Sequence, residues 1–139
     1  MPFLDLPERL VEVRGRISAA VARGGHGQTV MLVAVTKTHG ADAVEAAVAA
    51  GVRDVGENRV QEALQKMEAV RADARWHLIG HLQRNKVKVL SRFYLTHSLD
   101  RPALADAIDA QARDEGRTFD VLMQVNVAGE GSKGGYAPA

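Results

Sequence analysis

The feature that most constrains the fold is an apolar run at residues 30–38 that carries a lysine, Lys37, near its carboxyl end. The run is rich in β-branched residues, and its length and composition predict a strand that is buried on both faces. Helical patterns lie on either side of it, so we expect this strand to be parallel and central in its sheet. An ammonium at its carboxyl end would be partly desolvated, and this is also where α/β folds bind ligands.

Strand and helix patterns alternate along the whole chain. A first amphipathic helix has one apolar stripe formed by Leu6, Leu10, Val13, Ile17 and Val21, and it stops at Gly24-Gly25. Strands are predicted at residues 30–38, 53–56, 76–80, 93–97 and 120–127. Helices are predicted between them at residues 41–50, 59–70 and 85–91. A last helix is predicted to open at Asp100-Arg101-Pro102, with Asp100 as its cap and Gly116 as its stop.

This alternation predicts an α/β fold with a parallel sheet and right-handed crossovers, in one domain that spans residues 1–139. Two architectures fit the pattern. One is an open, doubly wound sheet, and the other is a section of a (β/α) barrel. A complete barrel of this kind has eight strands in typically about 250 residues, so five strands would form only part of one.

Composition excludes several classes of protein. Hydrophobic residues make up 46% of the chain, which is incompatible with wholesale disorder, and the net charge of +1 gives no field that would recruit nucleic acid or an anionic membrane. Cysteine is absent, which excludes disulfides, thiolate metal sites and cysteine nucleophiles and suits a cytoplasmic protein. We expect no membrane span and no signal peptide, because no apolar run approaches about 20 residues and the amino terminus lacks a basic segment before an apolar core.

Lys37 has two interpretations when it is considered by itself. Its stem could lie along the strand end while its ammonium reaches solvent. Alternatively, partial desolvation could lower the pKa of its amine, so that the neutral form attacks a carbonyl and makes a Schiff base.

Two further polar segments follow predicted strands. In residues 56–62, Asn58 could hydrogen-bond a planar ligand, and Glu57 could cap the next helix, although a helix amino terminus with a favourably placed acid is an equally good interpretation. In residues 76–86, His77 and His81 flank a strand end, but no third ligand lies nearby, so a zinc site is not expected.

Two other features have weaker functional interpretations. The basic cluster of Arg84, Lys86, Lys88 and Arg92 fits a solvated helix face, or else contact with a phosphate or nucleic acid. The glycine-rich loop at residues 129–135 follows a strand, but its Ser-Lys-Gly order and the lack of a following helix make it a poor phosphate loop. The glycines at residues 24–27 precede a strand and are interpreted as a connector.

Considered together, these segments closely resemble the pyridoxal phosphate homeostasis protein family. The matching stretches are residues 33–38, 56–62, 76–86, 124–127 and 132–135. The resemblance implies a TIM-barrel-like domain related to the N-terminal domain of alanine racemase. It also implies pyridoxal 5′-phosphate held as a Schiff base on Lys37, in a non-catalytic protein that binds, buffers or delivers the cofactor. Asn58 would lie beside the cofactor, with His77, Ile79 and His81 as pocket neighbours.

The sequence also departs from that family. Family members continue through three more strands, which carry the loops that bind the cofactor phosphate and an arginine near the pyridine ring. We therefore expect the chain to be a C-terminally truncated fragment, about five of the eight strand–helix units. Its two open strand edges would make it marginally stable and prone to self-association.

Three alternatives to the carrier function follow. A racemase-like enzyme on the same barrel would need a second, β-rich domain that supplies an acid/base tyrosine. A fragment that no longer binds the cofactor is the second alternative. An interaction module that uses the basic cluster is the third, although few aromatic residues are present to support binding of a nucleic acid.

Overall fold

The computed structural model describes residues 2–139 and contains five strands, four α-helices and one 3-10 helix. The helices are α1 (Leu6–Gly24), α2 (Ala41–Ala49), α3 (Val60–Ala69), the 3-10 helix (Arg84–Arg92) and α4 (Pro102–Glu115). The strands are β1 (Ala34–Val35), β2 (Asp54–Glu57), β3 (Arg75–Leu78), β4 (Leu95–Leu99) and β5 (Val121–Met123).

The five strands form one parallel sheet in the order β1-β2-β3-β4-β5. A doubly wound sheet reverses its strand order at a switch point, whereas consecutive strands of a (β/α) barrel are neighbours all the way round. The observed order has no reversal. The predicted α/β fold is therefore confirmed, and of the two architectures the sheet is the barrel-like section.

One face of the sheet packs against the helices. Val55, Trp76 and Leu78 are buried there, in a core shared with Val44 of α2 and Leu104 of α4. The register pairs Val55 with Trp76 and Gly56 with His77, so alternate residues point to the opposite face. We call this opposite face, to which Val35, Gly56 and His77 point, the open face.

The first strand differs from its prediction. The sheet order places β1 at an edge rather than at the centre, and its ladder includes only two residues. Val35 is 51% exposed, and Val30 and Met31 are also exposed. The physical reason is that β1 has a neighbouring strand on one side only.

The helix ends follow the glycines that the sequence indicated. Gly25 after α1 and Gly116 after α4 both adopt left-handed backbone conformations, with φ of 69° and 62°. The predicted cap of α4 is wrong, because the N-cap position is Arg101 and no side chain caps the helix. Asp100 instead accepts a hydrogen bond from Arg101 Nη1 at 2.5 Å.

Two elements are shorter or tighter than predicted. The helix predicted at residues 85–91 is a 3-10 helix, in which Val87 and Leu90 are buried. The fifth strand ends at Met123, and Val125 then makes an isolated parallel bridge with Tyr136, so the last residues fold back beside it.

No helix within residues 2–139 has both the length and the apolar character that crossing a membrane requires.

Candidate functional site

The side chains predicted to form the site follow three neighbouring strands. Lys37 lies two residues beyond β1, and Asn58 directly follows β2. Ile79 directly follows β3, and His81 lies two residues further along. Because all strands are parallel, their carboxyl ends meet at one edge of the sheet, which is the edge that carries ligand sites in barrels.

Lys37 occupies a tight turn at this edge. The N–H of Thr36 continues the ladder to Gly56 O at 3.0 Å, and the N–H of His39 donates to Thr36 O at 3.1 Å. Lys37 and Thr38 are thus the two central residues of a four-residue turn, and Thr38 has φ of 66°. Lys37 is exposed, because β1 is an edge strand. This fits the interpretation in which its ammonium reaches solvent, and the predicted partial desolvation is not observed.

A buried ion cluster lies behind this turn, on the helix side. Lys66 Nζ of α3 is 2.7 Å from Glu57 Oε1 and 2.8 Å from Thr36 O. Glu57 Oε2 accepts a hydrogen bond from the Thr36 hydroxyl. Glu57 is fully buried and Lys66 is 7% exposed. The predicted capping role of Glu57 is therefore wrong: the carboxylate is committed to Lys66, and Arg59 occupies the N-cap position of α3.

The backbone between the strand ends is closely packed. A Cβ atom built on Gly56 would lie 3.2 Å from Val33 Cγ1 and 3.4 Å from Ile79 Cδ1, so these two side chains form an apolar floor on the open face. A Cβ on Gly80 would overlap Asn58 O and lie 2.8 Å from Asn58 C. The structure therefore packs Gly80 against the backbone of Asn58, and only glycine fits at position 80.

His77 lies deeper in the sheet than the other predicted residues. It is fully buried, and both ring nitrogens have partners: Nε2 is 2.8 Å from Asp54 Oδ1, and Nδ1 is 2.9 Å from His97 Nε2. A carboxylate can only accept, so Nε2–H donates to Asp54, and in the neutral ring Nδ1 accepts from His97. His77 thus has no free nitrogen to offer a ligand, and its place beside the cofactor stays a prediction.

This histidine pair belongs to a polar network that the sequence patterns did not predict. Arg75 makes two hydrogen bonds to Asp54, at 2.9 and 2.8 Å. Burial raises the pKa of Asp54, but the hydrogen bonds from Arg75 and His77 outweigh it and hold that pKa below its usual value. Burial, together with nearby His77, lowers the pKa of His97. The sequence signal for this network was the presence of Asp54, His77 and His97 within predicted strands.

The pKa shifts predict that acid destabilises the fold. A carboxyl with a lowered pKa stabilises the native state above its ordinary pKa, and this contribution is lost as pH falls through the folded pKa. A histidine with a lowered pKa is protonated more readily when unfolded, so stability also falls below about pH 6.5. We expect the thermal midpoint to decrease as the pH is lowered from about 7 to about 5. In His97→Asn, this decrease should be smaller. Equal slopes for both proteins in melts followed by circular dichroism would contradict this assignment.

His81 and the glycine-rich loop lie at the same edge. His81 is exposed, and its Nδ1 is 3.4 Å from Asp100 Oδ2. Gln124 Nε2 donates to Gly134 O at 3.1 Å, and Asn126 Nδ2 donates to Glu130 O at 2.8 Å, so the loop is tied to the end of the fifth strand. Its Ser132 and Lys133 are exposed. A phosphate contact by this loop stays a prediction.

Two other features bear on possible sites. Three members of the basic cluster, Arg84, Lys88 and Arg92, are exposed on the 3-10 helix, and both interpretations of that cluster remain open. Within the part of the chain that the structure describes, no three histidine, cysteine or acidic side chains are grouped as a metal site would require.

Comparison with known proteins gives consistent relatives. The chain is 45% identical over 134 residues to the pyridoxal phosphate homeostasis protein of Aquifex aeolicus, and 43% identical over 136 residues to that of Pseudomonas aeruginosa. These alignments cover 94% and 96% of this chain but 59% of each relative. The chain thus spans about three fifths of the length of the curated relatives it matches.

Solved structures agree with the sequence relatives. PipY of Synechococcus elongatus without PLP superposes with a TM-score of 0.77 and 38% identity, over 94% of this chain and 58% of PipY. PipY with PLP bound gives a TM-score of 0.69 and 35% identity, over 87% of this chain and 54% of PipY. The family described as alanine racemase, N-terminal domain, matches residues 13–139. Because that match covers most of the chain, this protein belongs to the alanine racemase N-terminal domain family.

Proposed function

We propose that this chain is a non-catalytic pyridoxal 5′-phosphate-binding protein that holds the cofactor as a Schiff base on Lys37. The observation that carries the proposal is the position of Lys37. A primary amine stands exposed at the carboxyl edge of a parallel sheet, on a turn that is hydrogen-bonded on both sides. The PLP-bound structure of PipY and the names of the curated relatives support the choice of cofactor.

The residues present fit one end of the cofactor. Pyridoxal phosphate supplies an aldehyde that condenses with a primary amine and releases water. Lys37 offers the amine, and Asn58 offers an amide for a polar ring substituent. Val33 and Ile79 offer an apolar surface where a planar ring can lie. His81 is exposed at the same edge and is a further candidate neighbour of the cofactor.

A carrier function fits the surroundings of Lys37 better than a racemase-like enzyme does. A racemase needs a second group that can give or take a proton at the substrate carbon. His77 is one candidate on the open face, but both of its ring nitrogens already contact Asp54 and His97. The pyridoxal phosphate homeostasis names of the relatives point the same way.

Visible spectroscopy with Lys37 variants tests the proposal. Wild-type protein mixed with pyridoxal phosphate is expected to show a protein-dependent absorbance band, which Lys37→Ala and Lys37→Arg both lose. Arginine keeps the positive charge but cannot make the Schiff base, so it separates covalent binding from simple attraction of the phosphate.

Lys88→Ala is the matched control, because Lys88 is an exposed lysine on the 3-10 helix, and it should keep the band. Borohydride reduction followed by peptide mass spectrometry should place the cofactor on the Lys37 peptide. A full band in Lys37→Ala, or the absence of any band in the wild-type chain, would contradict the proposal.

A further inference from the structure

We infer that Glu57, Glu62 and Lys66 form a clamp that fixes the turn around Lys37 and so aims its amine at the open face. We call these three residues the Lys66 clamp. The aiming role rests on the proposed function of Lys37, whereas the holding of the turn does not. None of the three residues would touch the cofactor themselves, so they are positioning residues.

The first contact of the clamp is with the residue before Lys37. Lys66 Nζ donates to Thr36 O at 2.8 Å, and that same oxygen accepts the N–H of His39, which closes the turn. The hydroxyl of Thr36 donates to Glu57 Oε2. Both the carbonyl and the side chain of Thr36 are thus held from one side, and Thr36 is itself buried.

The second contact is with the residue after Lys37. The N–H of Thr38 donates to Glu62 Oε1 at 3.0 Å, and the same oxygen lies 3.3 Å from Lys66 Nζ. The hydrogen bond from Thr38 and the nearby Lys66 together lower the pKa of Glu62. Lys37 is therefore flanked on both sides by residues that one ion cluster on β2 and α3 holds.

The turn needs such a restraint because Thr38 is strained. Its φ of 66° lies in the left-handed region, at the turn position where glycine is usual, and a β-branched residue is a true outlier there. Such conformations persist only where surrounding contacts determine them, and they are concentrated at functional sites. The Glu62 contact provides a restraint of this kind.

The clamp also resists rearrangement. Glu57 is fully buried and Lys66 nearly so, and separating them would leave a charge buried without a partner. The Lys37 side chain takes no part in these contacts and is exposed. The structure therefore combines a rigid backbone with a free amine. This arrangement favours attack of the Lys37 amine on a carbonyl from one direction.

Glu62 is the residue at which to test the clamp, because its side chain is 30% exposed and its loss leaves the Lys66–Glu57 pair intact. In Glu62→Ala, we expect hydrogen exchange of the Thr38 amide, followed by NMR without cofactor, to be faster by about tenfold. We also expect the induced circular dichroism per bound pyridoxal phosphate to fall to about half, since the ring is held less uniformly.

Two further variants give the controls. Glu62→Gln keeps an oxygen that can accept from Thr38 N–H, so it should restore most of both signals. Glu68→Ala makes the same substitution at an exposed position on the same helix, and it should resemble the wild type. Thermal midpoints of all variants are measured in parallel, to separate a local effect on the turn from a global loss of structure.

The outcomes distinguish the clamp from the proposed function. Unchanged exchange at Thr38 in Glu62→Ala would overturn the clamp. Faster exchange with unchanged induced dichroism would overturn its aiming role. If the wild-type chain gives no Lys37-dependent band, the proposed function and the aiming role both fail, and the exchange rate still decides whether the clamp holds the turn.

Discussion

Replacing Lys66 with alanine is expected to lower the free energy of unfolding by about 3–5 kcal/mol. The substitution removes the ammonium that neutralises Glu57, whose carboxylate is fully buried. It also removes a hydrogen-bond donor to Thr36 O. Urea denaturation followed by far-ultraviolet circular dichroism would measure the loss. Release of the turn should weaken the cofactor band as well, since Thr36 precedes Lys37.

Two controls show whether the buried charge is the cause. Lys86→Ala removes a half-buried lysine from the 3-10 helix and is expected to cost less than about 1 kcal/mol. Combining Lys66→Met with Glu57→Gln removes both charges, so it should recover part of the stability lost by Lys66→Met alone. A double variant that is less stable than that single variant would contradict the ion-pair explanation.

Gly80→Ala is expected to cost about 1–3 kcal/mol and to displace the backbone at Asn58. The new Cβ would overlap Asn58 O and lie 2.8 Å from Asn58 C, and a backbone atom cannot move aside as the end of a side chain can. Because Asn58 directly follows β2 at the site, the affinity for pyridoxal phosphate should fall together with the thermal midpoint.

Gly15→Ala is the matched control for this substitution. Gly15 lies within α1, and apart from its chain neighbours and the backbone of that helix, no group lies within 4 Å of the position that a Cβ atom would take there. Alanine should therefore stabilise the helix by about 0.5–1 kcal/mol. A Gly80→Ala protein with wild-type stability and affinity would show that the Asn58 backbone can shift without cost.

Local patterns predicted the elements well. Apolar spacing of three and four residues identified the helices, and glycines marked the ends of α1 and α4, because only glycine enters the left-handed region without a steric cost. Strand positions were predicted within a few residues, except for the first and the fifth. Both of these are edge strands, and their ladders are shorter than their apolar runs because each pairs on one side only.

The candidate site was predicted in part. The alternation of strands and helices was enough to place Lys37, Asn58 and Ile79 at one edge of the sheet. The contacts of Glu57 and His77 could not be predicted from this alternation. Each was considered beside its sequence neighbours, whereas its partners come from other elements: Lys66 for Glu57, and Asp54 and His97 for His77.

The sequence by itself determined the α/β class, the order of the elements and the edge of the sheet where Lys37 stands. The tertiary structure alone decided that β1 is an edge strand, that Lys66 holds the turn around Lys37, and that His77 joins Asp54 to His97. The physical reason is that periodicity and turn chemistry are local properties. Contacts between buried polar groups depend instead on strand register and on how a helix crosses the sheet, and both are settled only when the chain packs.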